Sequence, residues 1–392
     1  MIEKDDFLKK AFRRYYYENI NKICAPQRLP EREIGYLTFY PEKMIRHVTL
    51  KNEGELKALL VHEAPKSVYY STAYYDDPSA PINSRLWKGA DLVFDIDLDH
   101  MPFKENHMAF IYICNSCNSF FADLNNKRCS LCGSEKITTA NIPTKEGLEY
   151  GKDEIIRLID ILTEDFGIGK DKIKIYFSGK RGYHLTVENS LYEDVDQNFR
   201  LELSDYLTLN GFKLLNTILN RNVPINDLHQ IFPLPHEKGW MGRLSKSFFE
   251  DIIGIKLENW DETYLRSLLQ KYFSTITYKD LQLSLEKVID KIKIRIDTNV
   301  TTDIHRIFRM PETLHGETGL LKKRITNIDT FHPLVDAIAF SQEPIKVYVD
   351  YAPRFELNEQ IFGPYKKEEV ILPEMAAVFL ICMGLAKPLE FP

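Results

Sequence analysis

The chain has 392 residues, with 51 Lys plus Arg against 57 Asp plus Glu, a formal charge of −6. At roughly 150 residues per domain, the length predicts two or three domains whose core stands without disulfide staples. An apolar share of 44% with 18 Gly and 19 Pro excludes a mini-protein, a fibre and a disordered chain, and the mild acidity speaks against a surface that grips nucleic acid by bulk charge.

Residues 5–24 predict a helix on which Phe12, Tyr15, Tyr16 and Tyr17 are interleaved with Arg13 and Arg14. That patch either packs the helix onto its domain or offers bases a stacking surface. The charged first residues hold no apolar run of the kind a signal sequence needs, and the longest apolar stretch, 375–385, is shorter than the roughly 18 residues of a membrane helix. An intracellular protein of the cytoplasm or nucleoid, without membrane contact, is expected. Apolar alternation predicts a strand pair at 34–40 and 44–50, and Val68-Tyr69-Tyr70 centres an aromatic strand over 66–75.

In the segment 90–99, strand alternation sends Leu92, Phe94, Ile96 and Leu98 to one face and Asp91, Asp95, Asp97 and Asp99 to the other. A row of like charges is costly unless cations neutralise it, so the face is either a divalent-metal site or a solvated strand surface. Next come Cys114-x2-Cys117 and, eleven residues on, Cys129-x2-Cys132. Two such turns complete one tetrahedral zinc, and four thiolates leave no open position, which makes the metal structural. Cys24 and Cys382 are expected to be small core residues.

A helix is predicted over 155–166, then strands at 173–177 and 183–187 joined by Ser178-Gly179-Lys180-Arg181-Gly182-Tyr183-His184. The glycines permit close backbone approach, and Ser178, Lys180, Arg181 and His184 supply donors, so the turn reads as a triphosphate cradle or as a basic surface hairpin. Helical spacing fills 199–220, 260–273 and 280–291. The alternation of Ile292, Ile294 and Ile296 predicts a strand over 292–297 that ends in Asp297, a third carboxylate for hard cations. The segment 303–310 then predicts a short helix with Arg306 and Arg309 three apart, and His315 lies in a glycine-bounded loop, a plain turn or a donor to the same anion. A strand is predicted at 345–350. The pattern predicts an α+β fold: a mixed-sheet catalytic domain over 1–190 and 290–392, a zinc-binding insertion at 108–140 and a helical insertion at 191–289.

Taken together, Val93-Phe94-Asp95-Ile96-Asp97, the Ser-Gly-x-x-Gly-x-His turn, the 297–309 run and Leu314-His315-Gly316-Glu317-Thr318-Gly319 resemble the catalytic small subunit of archaeal and eukaryotic primases, in order and over about residues 10–390. The resemblance implies a zinc knuckle at the four cysteines and catalytic Mg²⁺ or Mn²⁺ on Asp95, Asp97 and Asp297. It also implies nucleotide phosphates held by Ser178, Arg181, His184, Arg309 and His315, to which the residue pattern of the turn and of the 303–310 segment adds Gly179, Lys180 and Arg306 as nucleotide-binding candidates. Arg32-Glu33 and Arg46 look like the family's N-terminal active-site edge. One departure stands out: where the family often has Lys in His-Gly-Lys-Thr-Gly, this chain has Glu317, so no nucleotide contact is assigned there.

The implied activity is two-metal nucleotidyl transfer, a DNA-directed RNA polymerase that makes short primers on single-stranded DNA from nucleoside triphosphates, alongside a large primase subunit. Three alternatives stand: a repair-type primase-polymerase preferring deoxynucleotides, a metal-dependent nuclease or phosphatase, and a zinc-ribbon nucleic-acid adaptor without activity.

Overall fold

The computed structural model describes residues 3–102, 104–122, 128–188, 191–211, 223–258 and 260–390. Two compact units emerge: Met1–Ile155, Asp171–Gln197 and Ile296–Pro392 form the first, and Ile156–Lys170 and Asn198–Arg295 the second. In chain order, the first unit opens with helix α1 (Lys4–Asn19), strands β1 (Ile34–Leu37) and β2 (Met44–Val48), helix α2 (Glu53–Glu63), and strands β3 (Ser67–Ser71), β4 (Ala73–Tyr75), β5 (Trp87–Ala90) and β6 (Leu92–Asp97). Strands β7 (Met108–Cys114), β8 (Phe120–Phe121) and β9 (Ile137–Pro143) precede α3 (Lys145–Glu164), inside which the division between the units falls; β10 (Ile173–Phe177) and β11 (Gly182–Val187) follow. The second unit contains α4 (Gln197–Thr208) from residue 198 on, α5 (Gly239–Phe248), α6 (Glu262–Phe273) and α7 (Tyr278–Ile292). The first unit resumes with α8 (Thr298–Thr302), β12 (Ile307–Arg309), β13 (Lys323–Ile325), β14 (Pro344–Ala352), β15 (Phe355–Leu357), β16 (Gln360–Phe362), β17 (Tyr365–Pro373), α9 (Glu374–Cys382) and β18 (Ala386–Pro388).

Mixed helices and antiparallel sheets make this an α+β fold. Two four-stranded sheets dominate the first unit, ordered β12-β3-β1-β2 and β13-β10-β11-β6. Val93 of β6, Val300 of α8 and Phe308 of β12 form one small buried cluster, which fastens an edge strand of each sheet to the helix between them. Smaller sheets, β17-β14-β18 and β8-β7-β9, carry the C-terminal region and the cysteines. Every residue of α9 is buried, as expected of a helix that is apolar all round. The second unit closes around Leu228, Phe232, Leu244, Phe248, Leu265, Leu269, Phe273, Leu281, Leu285 and Val288. Two of its helices start where side chains satisfy free amides: Asp261 caps α6, and Thr277 with Asp280 forms a capping box on α7. No described helix is long and apolar enough to cross a membrane.

Several local expectations change. The segment 292–297 is not a strand: α7 runs to Ile292 on the stripe Leu281, Leu285 and Val288, and the Lys293–Asp290 ion pair covers its last turn. Ile294 and Ile296 are buried as their alternation suggests, but among the described residues they enter no strand ladder. The helix expected at 303–310 lies earlier, at α8, because the Asp297 carboxylate accepts the Asn299 N–H and starts it there. Ile307, Phe308 and Arg309 instead pair with Ser71, Tyr70 and Tyr69 as β12. The aromatic strand of 66–75 is two strands in different sheets, and α3 begins ten residues before the expected 155. In α1, Phe12, Tyr15 and Tyr16 are buried, so the patch packs; Tyr17 alone of the four is exposed. Cys382 is buried but Cys24 is exposed. Of the helical stretch expected at 199–220, residues 212–220 lie outside the described residues.

Candidate active site and metal centre

Strand register builds the acidic wall. On β6 the burial pattern leaves only Asp95 and Asp97 partly open, while Leu92, Val93, Phe94 and Ile96 are buried. In the ladder with β11, Asp95 lies opposite His184 and Asp97 opposite Gly182. A Cβ at Gly182 would come 2.2 Å from the Ile96 carbonyl, so this position requires glycine. Gly182→Ala is therefore expected to cost about 2–3 kcal/mol by forcing the strands apart; equilibrium unfolding by urea measures it, and an unchanged midpoint would contradict it.

Asp91 and Asp99 leave the row of four acids. Asp91 is fully buried and its Oδ2 accepts from Arg32 at 2.7 Å, while Asp99 sits past the end of β6 and pairs with Arg181. Asp297 joins from another direction, its backbone N–H donating to the Asp95 carbonyl at 2.9 Å. Burial, and then the neighbouring charges of Asp97 and Asp297, push the Asp95 carboxyl up to about 7 despite Arg306 and Lys322. A nearby cation would relieve such crowding, although among the described residues it is the four cysteines, and not these carboxylates, that bring three or more ligand atoms within 4.8 Å of one another.

Facing these acids is a cleft of about 200 Å³ lined by Asp95, Asp97, Ser178, Lys180, Arg181, His184, Arg306, Arg309 and His315, together with Tyr69, Gly182, Ile307 and Phe308. Residues from 69 to 315 thus meet in one place. Gly179 and Asp297 are not in the lining; Gly179, at φ 90°, lies against the His315 side chain and shapes the turn. Ser178 Oγ accepts the N–H groups of Lys180 and Gly182, at 3.3 and 3.1 Å, which tightens the turn from inside.

The basic residues are not equally available. Arg181 grips Asp97 with two hydrogen bonds, 2.7 Å to Oδ1 and 3.1 Å to Oδ2, and donates to Asn141 at 3.0 Å. Arg309 donates to Ser67 Oγ at 2.7 Å and lies over the Tyr69 ring. His184 stacks on Phe308 with centroids 4.2 Å apart, and its buried Nδ1 has no partner. Burial, then the charges of Lys322, Arg309 and Arg306, hold His184 neutral well below its ordinary range, and burial with Arg309 does the same to His315. The Glu317 N–H donates to His315 Nδ1 at 3.2 Å, so the neutral ring carries its proton on Nε2, a donor.

Ser67, Phe308 and Lys322 take part here without having been singled out in the sequence, and Tyr69, read there only as part of an aromatic strand, does so too. Lys322 is fully buried, donates to the Arg309 carbonyl at 2.7 Å and lies over Phe308 and Tyr176. Its place in a Lys322-Lys323-Arg324 run was the available signal; a serine on a strand gives none. Arg32 does not line the cleft: it is 1% exposed and buried with Asp91. Glu33, also buried, binds Arg46 and Arg85; burial opposes its ionisation, but these guanidiniums and the His47 N–H bring it down to about 2.

The cysteine centre is built from two matching turns. The Asn118 N–H donates to the Cys114 carbonyl and the Gly133 N–H to the Cys129 carbonyl, and both donor residues have positive φ. The four sulfurs lie within 4.8 Å of one another, with Cys114 Sγ and Cys132 Sγ 3.5 Å apart and Cys117 Sγ and Cys129 Sγ 3.7 Å apart. Zn–S bonds of about 2.3 Å in a tetrahedron require sulfurs roughly 3.8 Å apart, so the set fits a metal such as zinc. A Ser119 hydrogen bond, then the Cys132 backbone, lowers the Cys129 thiol, while against the Ser134 backbone the Cys117 and Cys114 thiols raise that of Cys132, so the sulfurs share protons that a metal would displace. Cys129→Ser is expected to weaken zinc binding at least about tenfold; metal content after dialysis against a chelator measures it, and full retention would contradict it.

The fold and cleft define an α+β protein with an acidic strand set against a basic, glycine-turned wall, an arrangement whose donors suit phosphate groups. Comparison with known proteins makes this specific. The profile described as DNA primase small subunit matches residues 149–327. The chain is 36% identical to the DNA primase small subunit of Nitrosopumilus maritimus, covering 97% of each, and 33% identical to that of Cenarchaeum symbiosum, covering 98% of this chain and 99% of the other. It is 32% identical to that of Archaeoglobus fulgidus over 96% and 97%. The chain belongs to the DNA primase small subunit family.

Proposed function

We propose that this chain is the catalytic subunit of a DNA primase, synthesising short primers on single-stranded DNA from nucleoside triphosphates, with Asp95, Asp97 and Asp297 as its metal ligands. The observation that carries the reading is the convergence of Asp95 and Asp97 with Lys180, Arg181, His184, Arg306, Arg309 and His315 on one cleft. In that assignment Asp95, Asp97 and Asp297 would hold Mg²⁺ or Mn²⁺, which would supply Lewis-acid activation of the attacking 3′-hydroxyl and charge neutralisation for the leaving pyrophosphate.

The chain's own residues account for the rest. Arg306 and Arg309 place fixed positive charge beside the acids, suited to a polyphosphate. His184 and His315, held neutral, donate to phosphate without adding to the crowding of cations. Arg181 keeps the Asp97 carboxylate oriented by its two bonds. Ser178 and Gly179 hold the turn in the shape that presents these donors.

On this reading the four thiolates hold zinc as a structural brace in an insertion at 108–140, and the helical residues between 191 and 289 form a second insertion into a catalytic domain over 1–190 and 290–392. The family name, a small subunit, supports a large primase subunit as partner. The work is replication, inside the cell. Synthesis of labelled products from ribonucleotides on a bare single-stranded template, with and without a co-purified large subunit, tests it; release of nucleotides without chain extension would point to a nuclease instead.

A further inference from the structure

At the mouth of the cleft the turn after β10 and the loop after β12 are tied together. The Lys180 ammonium is bonded to the Glu317 carboxylate, and Thr318 Oγ1 donates to the Gly179 carbonyl at 2.6 Å. The other cations here face inward: Arg181 is on Asp97 and Asp99, and Arg309 is on Ser67 and Tyr69. Lys180 differs, because its partner stands at the rim, with the Glu317 side chain 62% exposed against 22% for Lys180. Burial pushes Glu317 up, but Lys180, and behind it Arg309 and Arg181, bring it below its ordinary value. An acid therefore rests in the field of three cations at the cleft where, on the reading above, the triphosphate binds.

We propose that Glu317 acts as a built-in competitor for the nucleotide phosphates: it holds Lys180 at the rim, and an entering triphosphate takes Lys180 from it. The proposal rests on the nucleotide-binding reading of this cleft and adds a residue that sets its affinity. Glu317 is a positioning residue, since it acts through Lys180 and stands apart from Asp95 and Asp97. Its mostly exposed carboxylate turns to water when displaced, and the repulsion between it and the incoming phosphates raises the nucleotide KM while leaving the chemical step alone.

The test uses the full chain with its large subunit and measures two quantities separately: binding of ATP in the presence of Mn²⁺, and KM and kcat for primer synthesis. Glu317→Gln keeps the shape and removes the charge. It is expected to tighten ATP binding and lower KM by about two- to fivefold, the range an exposed ion pair supports, with kcat unchanged. In a Lys180→Ala background the same substitution is expected to gain less, because the cation it frees is gone. Unchanged or weaker ATP binding by Glu317→Gln overturns the proposal, as does an equal gain without Lys180. Tighter ATP binding by Glu317→Gln in a protein that synthesises nothing upholds Glu317 and overturns the primase assignment.

Discussion

Asp95→Asn is expected to reduce primer synthesis by at least about a thousandfold while leaving the metal-free protein no less stable than the wild type. Both halves follow from one environment. Asp95 is crowded by Asp97 and Asp297 and its carboxyl is raised to about 7 from 3.8. A raised acid favours folding when protonated: its contribution is full below the unfolded value and is lost as pH rises through 7. At pH 8 the ionised Asp95 therefore destabilises the metal-free fold, and Asn removes that strain, a gain on the order of 2 kcal/mol after screening by water. The same carboxylate is the ligand that divalent cations need, so Mn²⁺ affinity of the wild type is expected to fall as pH drops below 7, where a proton competes. Thermal unfolding at pH 8 with and without Mn²⁺ checks this: Asn should raise the metal-free midpoint and abolish the Mn²⁺-dependent rise. A variant that is both less stable and still active would contradict it.

The second large effect concerns stability alone. Arg32 is held by five acceptors: Gln27 O at 2.7 Å, Ser71 O at 2.6 Å, Thr72 O at 3.2 Å, Tyr74 Oη at 2.8 Å and Asp91 Oδ2 at 2.7 Å. Its guanidinium also lies over the Tyr74 ring. Removing one partner of a buried pair leaves the other charge uncompensated, so Arg32→Met is expected to cost about 3–5 kcal/mol. Denaturant unfolding measures it, and a loss below about 1 kcal/mol would mean that the pair adds little. Synthesis should fall only as the folded fraction falls, which separates Asp91 from Asp95 although the two acids lie on one strand segment.

That separation shows what the sequence could reveal. Strand alternation put Asp91, Asp95, Asp97 and Asp99 on one face, and the structure does carry Asp95 and Asp97 together on β6. Alternation is blind to what lies across the sheet, so it could not show that Asp91 meets Arg32 or that Asp99 lies past the strand end. Spacing was enough for the four cysteines, because a closed tetrahedral set leaves few other arrangements. The stretch 292–310 misled for a related reason. Alternating isoleucines report burial on one side and not pairing, and the short helix expected at 303–310 gave way to the ladder with β3 once Asp297 had started α8 upstream. Lys322 and Ser67 reach the site through long-range packing that no local pattern encodes. The charge of −6 proved to be the wrong scale: acids gather on β6, and cations gather a few ångströms away in the same cleft.

The most direct measurement is a priming assay on single-stranded DNA with labelled nucleotides and Mn²⁺, comparing the wild type with Asp97→Asn, each with the large subunit and each checked for intact zinc content and fold. Short template-dependent products from the wild type, and none from a folded, zinc-loaded Asp97→Asn, are the expected result. Substantial synthesis by Asp97→Asn would contradict the assignment of chemistry to this cleft.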